Sequence, residues 1–324
     1  MQQLAKAPAI NTQGLPALPD DLHLEIISHF SFQPVPSKEK HWSETFDGLR
    51  DRHLTLLSLS QTCRSLRPCY LRYLWQRIEV FDGMETDKGP LQFVDRTRRR
   101  RRGEITAMNK LYVEELSRQL EIVTIRDSSL ALHVNILNLT VVEDSAGRVL
   151  PELARCITLL PNLHTVQFDF RIDIIIFNKA RNAFMAYRYP QIRTACLAAS
   201  AYFFIACCPN LRRVMSLNNL PRVGLLENVI QHCPQVEVVA PLFALAPMRR
   251  MISQLKNLRD VSLDYLEALS QLPHLHTIRI RHRIRHQRRS MNVWSGVEGF
   301  YPVTKLGKSI ESSWFIKTGR PKLY

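Results

Sequence analysis

Pro161-Asn162-Leu163-His164-Thr165-Val166-Gln167-Phe168 carries a turn followed by apolar residues in the pattern apolar-x-x-apolar-x-apolar. The alternation of Val166 and Phe168 suits a short strand, because successive strand residues face opposite sides. The pattern returns as Val134-x-x-Leu137-x-Leu139, Leu258-x-x-Val261-x-Leu263 and Leu275-x-x-Ile278-x-Ile280. Looser copies begin at Leu211, with Val214 and Leu217, and at Val236, with Val239. Similar turns precede several copies: Pro209-Asn210, Pro234-Gln235, Lys256-Asn257 and Pro273-His274. Residues between copies suit helices, as in the stretch from Leu225 to His232. The copies start at 134, 163, 211, 236, 258 and 275, so the intervals are 29, 48, 25, 22 and 17. The longest interval predicts a degenerate copy near Ile192. A unit of this size cannot bury its apolar face alone, and stacked neighbours complete the core.

The rest of the 324-residue chain is consistent with a folded body. Hydrophobic residues make up 45%, which is enough for a proper core. The net charge of +15 is unevenly placed. Arg96–Arg102 contributes +6, and Arg279–Tyr324 contributes seven Arg, four Lys and two Glu, or +9. Together they supply the whole excess, so the body is neutral with two basic attachments. Seven cysteines occur without a Cys-x-x-Cys pair, which predicts buried thiols in a reducing compartment, cytoplasmic or nuclear. The longest apolar run, Cys196–Cys208, is too short for a bilayer span and predicts a buried helix. No membrane association is expected. Asn138-Leu139-Thr140 fits a glycosylation acceptor, but lies in an apolar run with no secretory signal ahead of it.

Ahead of the repeats, residues 1–14 lack periodicity and predict a flexible lead-in. A helix is expected from Leu18-Pro19, with Leu22, Ile26, Ile27 and Phe30 on one face. Proline suits a first helical turn, where its missing N–H has no intrahelical partner. Pro34 and Pro36 predict a loop over 31–51. A second helix near His53 would carry Leu56, Leu59, Cys63 and Leu66 as a stripe, ended by Pro68. A third is expected over Cys69–Arg77, with Leu71, Leu74, Trp75 and Ile78 on one side. Such a small module cannot bury all of these side chains alone. They pack on the next domain or meet a partner, with Trp75 as an anchor.

Leu18-Pro19-Asp20-Asp21-Leu22-x-x-Glu25-Ile26-Ile27-x-x-Phe30 resembles the opening of an F-box. Leu57-Ser58-Leu59-Ser60-Gln61-Thr62-Cys63-Arg64-Ser65-Leu66 resembles its middle, and Leu74-Trp75-x-x-Ile78 its end. The 31–51 stretch is an insertion relative to that family. The repeats resemble the irregular leucine-rich repeats that follow F-boxes in many fungal and animal proteins, without the usual closing asparagine in most copies. A plain α/β sheet of similar strands is the alternative. The F-box resemblance implies binding to the Skp-type adaptor of a Skp–cullin–F-box ubiquitin ligase, and through it to a cullin scaffold. By position, Leu18, Pro19, Leu22, Ile26, Leu59, Cys63, Leu74 and Trp75 would touch the adaptor.

No catalytic motif emerges. Gly307-Lys308-Ser309 has Pro302 where a phosphate loop needs glycine. His282 and His286 are four apart, as two imidazoles on one helical face would be, but arginines around them repel a cation. Cys207-Cys208 lies in an apolar run, where burial weakens a nucleophile. No cofactor, metal or catalytic residue is proposed. Arg98, Arg99, Arg100, Arg101 and Arg102 suit a solvated loop or a nuclear-import signal. Few aromatics interleave with them, so nucleic acid is disfavoured as a partner.

The expected architecture is α/β. A three-helix F-box-like module (15–80) precedes a linker with the arginine run (81–110). An irregular leucine-rich-repeat solenoid follows (111–282), then a basic, aromatic-containing cap or tail (283–324). The expected function is that of a non-catalytic substrate receptor of the ligase. The runner-up is a repeat module outside the ligase, with the N-terminal helices serving as its cap.

Overall fold

The computed structural model describes residues 13–29, 42–80, 84–86, 88–91, 102–171, 174–217, 223–242, 251–252, 254–263, 277–282 and 297–302. Three helices come first: α1 (Asp20–Ser28), α2 (Trp42–Thr62) and α3 (Arg67–Leu74). Pro19 sits at the N-cap of α1 rather than inside its first turn. Its carbonyl accepts from the N–H groups of Leu22 and His23. The second helix begins at Trp42, so the expected loop over 31–51 is helical from residue 42 onward. The physical reason is a longer stripe than the one read from Leu56. Leu49, Arg52, Leu56 and Ser60 are all buried, at helical spacing. Leu59 and Cys63 flank that stripe and stay half-buried.

Where a third helix was expected to run on to Arg77, the chain turns into a strand, β1 (Arg77–Glu79). Ile78 pairs with Leu137 and is fully buried in the sheet core. Trp75-x-x-Ile78-x-Val80 is therefore a first copy of the apolar pattern, hidden inside the helical module. The stretch expected to be a linker holds a small hairpin, β2 (Glu85–Thr86) with β3 (Gly89–Pro90). Its turn needs Gly89, whose φ of 101° is open to glycine but strained for other residues. Helix α4 (Arg102–Glu121) then begins inside the arginine run and continues as a short π-helical segment, Ile122–Arg126. Leu116, Leu120 and Val123 face inward, at helical spacing.

Every other copy forms a strand. These are β4 (Ile136–Val142), β5 (Thr165–Arg171), β6 (Thr194–Leu197), β7 (Arg213–Ser216), β8 (Val238–Leu242), β9 (Asp260–Leu263) and β10 (Thr277–His282). A last strand, β11 (Val297–Pro302), runs antiparallel to β10. The nine-stranded sheet follows chain order, β1-β4-β5-β6-β7-β8-β9-β10-β11, and all pairs before the last are parallel. The degenerate copy near Ile192 is real: Ile192, Ala195 and Leu197 are each fully buried around β6. Helices α5 (Glu143–Thr158), α6 (Ile174–Met185) and α7 (Val223–His232) return the chain between strands. After β6 the return is a 3-10 helix, Ala199–Cys207, so the run Cys196–Cys208 is part strand and part 3-10 helix rather than one helix.

The first apolar position of six copies (Val134, Leu163, Ile192, Leu211, Val236 and Leu258) is 0% exposed. Burying such a side chain contributes about 1.5–3 kcal/mol. In the copy from Leu211, the third apolar position is Ser216, not Leu217. Its buried hydroxyl is 2.8 Å from that of Tyr202, which makes a polar group tolerable there.

One backbone rule links the copies. The carbonyl of the second residue of a copy accepts two N–H groups from the next copy. Gln76 takes Asn135 and Ile136, at 2.9 and 3.1 Å. Asn135 takes His164 and Thr165, His164 takes Arg193 and Thr194, and Arg193 takes Arg212 and Arg213. Arg212 takes Glu237 and Val238. The turn amides add a second rail. Asn162 Nδ2 donates to the Leu132 carbonyl at 2.6 Å, Asn210 Nδ2 to that of Pro190 at 2.8 Å, and Gln235 Nε2 to that of Pro209. The Pro-Asn turns thus hold one unit onto the preceding one.

A buried charge cluster joins the module to the sheet. Glu79 is 3% exposed, and its carboxylate lies 3.8 Å from Arg52 Nη1 of α2 and 3.7 Å from Arg77 Nε. Arg52 also donates to the Tyr73 carbonyl at 2.8 Å. Gln119 of α4 brackets the Glu79 backbone, accepting from its N–H and donating to its carbonyl. Removing one member leaves buried charge uncompensated, which costs about 3–5 kcal/mol. Glu79→Ala is therefore expected to lower the unfolding free energy by about that amount in urea titration. A variant as stable as the parent would contradict the packing described.

Candidate functional site

The outward face of the helical module is the surface that the eight proposed contact residues single out. Helix α1 is fixed by His23 and Ile27, which are one turn apart and both buried. Ile27 packs with Leu56, Leu66, Tyr70 and Leu74 in a small separate core. His23 Nδ1 lies 2.8 Å from the Tyr70 hydroxyl, with the two rings edge to face at 5.5 Å. Burial pushes the Tyr70 phenol above its ordinary pKa, so it remains a neutral partner. Neither residue was singled out in the sequence, because an isolated His and Tyr 47 residues apart carry no pattern.

That anchoring turns a neighbouring stripe outward. Leu22 and Ile26, one residue before the anchored pair, lie about 100° around the helix from it. Leu22 is 48% exposed and Leu24 47%, alongside other exposed large apolar side chains such as Ile125 and Leu132. Pro19 is exposed, while Leu18 and Ile26 are half-buried. Of the face expected from spacing, Ile27 is buried, Ile26 is half-buried and Leu22 is exposed, and His23 takes the inward place beside Ile27. Leu22 was expected to serve both core and contact, and only the second remains open to it. Phe30 lies outside the described residues.

The other proposed contacts divide. Leu59 and Cys63 pack partly against the small core. Leu74 is only 8% exposed and belongs to that core, so it is not available to a partner. It supports the face from beneath. Trp75 is half-buried and leans on the large sheet core. It is the hinge point between the two cores, because it also opens the first copy of the repeat.

Nothing gathers into a catalytic constellation among the described residues. No group of three or more His, Cys, Asp or Glu could hold a metal ion among them. His282 ends strand β10, not a helix, and His286 lies outside the described residues. Gly307, Lys308 and Ser309 and the arginines from 98 to 101 also lie outside them. No helix among the described residues is long and apolar enough to cross a membrane. All seven cysteines are free thiols. Burial pushes Cys156, Cys207 and Cys233 up to about 11, and Cys208 well above its ordinary value. None of these is a nucleophile at neutral pH.

Compared with known proteins, the chain matches no family model, and no curated protein matches it.

A titratable group sits at the seam beneath this face. Burial lowers the pKa of His53, against the opposing pull of Glu79 and Glu115 and with help from Arg52 and Arg118. A histidine held neutral in the fold is protonated first in the unfolded chain. Its contribution is therefore complete above the ordinary histidine pKa of about 6.5 and is lost as pH falls. His164, also lowered by burial, acts with the same sign. Urea midpoints should fall between pH 7 and about 5, with a shallower slope in His53→Gln. An unchanged slope would remove His53 from the account. Native thiol labelling should modify Cys63 and Cys69 alone, since the other five are buried. Labelling of Cys207 or Cys233 without denaturant would contradict that burial.

Proposed function

We propose that this chain is a non-catalytic substrate receptor of a Skp–cullin–F-box ubiquitin ligase, with a leucine-rich-repeat body. The observation that carries the reading is the stripe of α1 formed by exposed Leu22 and half-buried Ile26. It stands beside exposed Pro19, on a helix anchored inward through His23 and Ile27. Exposed apolar side chains on a rigidly held helix suit burial by a partner protein. The F-box resemblance names that partner as a Skp-type adaptor.

The body supports the second half of the proposal. One strand per copy, in chain order and parallel, is the arrangement expected of stacked repeats. Such a surface suits a protein target better than a small substrate, since stacking repeats requires no enclosed cleft. The receptor would work by proximity: it holds a target near the ubiquitin donor and makes the encounter effectively intramolecular. The shared segment from Trp75 to Val80 favours this mechanism, because a stiff joint preserves the distance between the two grips.

A second reading has an observation of its own. Leu49, Leu71 and Trp75 of the module pack on the large core, as a terminal cap of the repeats would. A cap alone leaves the Leu22 stripe without a purpose, whereas the receptor uses both features.

Pro19→Ala with Leu22→Glu is the direct test, since both positions are exposed and the fold should hold. The unaltered chain is expected to co-elute with a Skp-type adaptor on size exclusion. The double variant should lose the complex while keeping its melting temperature. Undiminished co-elution of the variant, or no complex with the unaltered chain, would favour the cap reading instead.

A further inference from the structure

We infer that the strand-entry rim of β5 to β9 binds an acidic segment of a partner protein. The inference takes from the proposed function only that the repeats hold a protein; adaptor docking plays no part in it.

The backbone rail sets one side chain per copy in a row at the second position: His164, Arg193, Arg212, Glu237 and Arg259. Neighbouring strands are about 4.8 Å apart, so this row is closely spaced. The three arginines of the row are exposed, and so are His164 and the Arg213 beside Arg212. The polar strand face nearby offers less, because Thr165, Gln167 and Cys196 are buried. The accessible chemistry of these copies therefore lies at their entry turns.

Charge on this row does not help the fold. The rail uses backbone carbonyls and N–H groups, which any side chain would supply. Like charges opposite each other on neighbouring strands destabilise a sheet, and the Arg193 charge weighs against protonation of His164. Arg212 is compensated by a hydrogen-bonded ion pair with Glu237. Arg193, Arg213 and Arg259 have no ion pair among the described residues. An anion bound across the row would relieve that repulsion.

The order of charges selects the kind of anion. Along this rim the cations Arg193, Arg213 and Arg259 lie to either side of the Arg212–Glu237 pair, which carries no net charge. A nucleic-acid backbone presents uniform negative charge and gains no attraction at that pair. A peptide with carboxylates toward the arginines and a neutral residue toward the pair matches it.

The test uses the full chain, without adaptor, and a fluorescent peptide of alternating Glu and Ser read by anisotropy. Arg193→Glu with Arg213→Glu should weaken binding by about tenfold or more, because it replaces attraction by repulsion at two sites. Its melting temperature should remain that of the parent. Should the pair fold poorly, Arg193→Gln with Arg259→Gln is expected to weaken binding in the same direction. Equal binding by the folded variants would assign the peptide to the basic stretches elsewhere and overturn the inference. So would absence of binding to the unaltered chain, or a single-stranded oligonucleotide that displaces the peptide and shows the stronger dependence on these arginines. None of these results bears on adaptor co-elution, so the two proposals fail separately.

Discussion

The buried contact of Glu79 with Arg52 and Arg77 is the constraint on which the rest of the molecule turns. Arg52 comes from the helical module, whereas Arg77 and Glu79 form the first strand of the sheet. Two cations lie around one carboxylate, all nearly sealed from water, at 3.7 and 3.8 Å and without a hydrogen bond to either carboxylate oxygen. Charges taken out of water must keep their partners or pay several kcal/mol. Gln119 extends the cluster to α4 and to Glu115, whose carboxylate is held by Arg118 at 2.7 Å. Burial lowers the pKa of Arg52 somewhat, with Glu79 opposing that shift, and a guanidinium retains its charge there. The segment Trp75–Val80 therefore belongs to both parts at once, ending the helices and beginning the repeats.

From that strand the molecule grows in one direction. Each copy reads its position from the preceding one through the second-residue carbonyl, starting at Gln76 and reaching Arg259, which donates to the Glu237 carbonyl. Side-chain hydroxyls repair the places where the pattern is irregular. The Tyr112 hydroxyl donates to the Val80 carbonyl and accepts from the Thr140 N–H, both at 2.9 Å, where α4 crosses the first two strands. Tyr189 donates to the Ala154 carbonyl beneath α5. An aromatic cluster of Phe168, Phe170, Phe184, Phe203 and Phe204 fills the space where a 3-10 helix replaces a full α-helix. Irregular spacing between copies is absorbed in these connections, and the parallel strands keep their register apart from one shift between β8 and β9 after Val239.

The strands were legible in the sequence because their signal is local and repeated. Three apolar positions within six residues mark β4, β5 and β9 directly, and the long interval betrays β6. The first copy was not legible, because Trp75, Ile78 and Val80 sit where helical spacing also fits, and only pairing with β4 decides between them. The face of α1 was misread by one residue: His23 is polar by type, so the apolar pattern pointed to Leu22 instead. Nothing local reveals that Tyr70 supplies the hydroxyl that buries His23. Helix α2 was read short because Arg52 and Ser60 occupy its inward stripe, and an arginine is buried only where a carboxylate such as Glu79 awaits it. Both helix misreadings turn on a polar group, His23 or Arg52, whose partner is distant in sequence, which periodicity alone does not encode.

A receptor acting by proximity needs its two grips held at a fixed separation, and that makes the stiffness of the joint the central physical claim. Native-state hydrogen exchange measures it most directly. The Trp75 N–H, bonded to the Leu71 carbonyl in the module, and the Asn135 N–H, bonded to the Gln76 carbonyl in the sheet, report on the two sides of the seam. If the parts form one cooperative unit, both amides open with the same free energy and the same response to denaturant. Opening of Trp75 at a much lower free energy, with Asn135 still protected, would show the helices swinging free of the sheet and contradict the account.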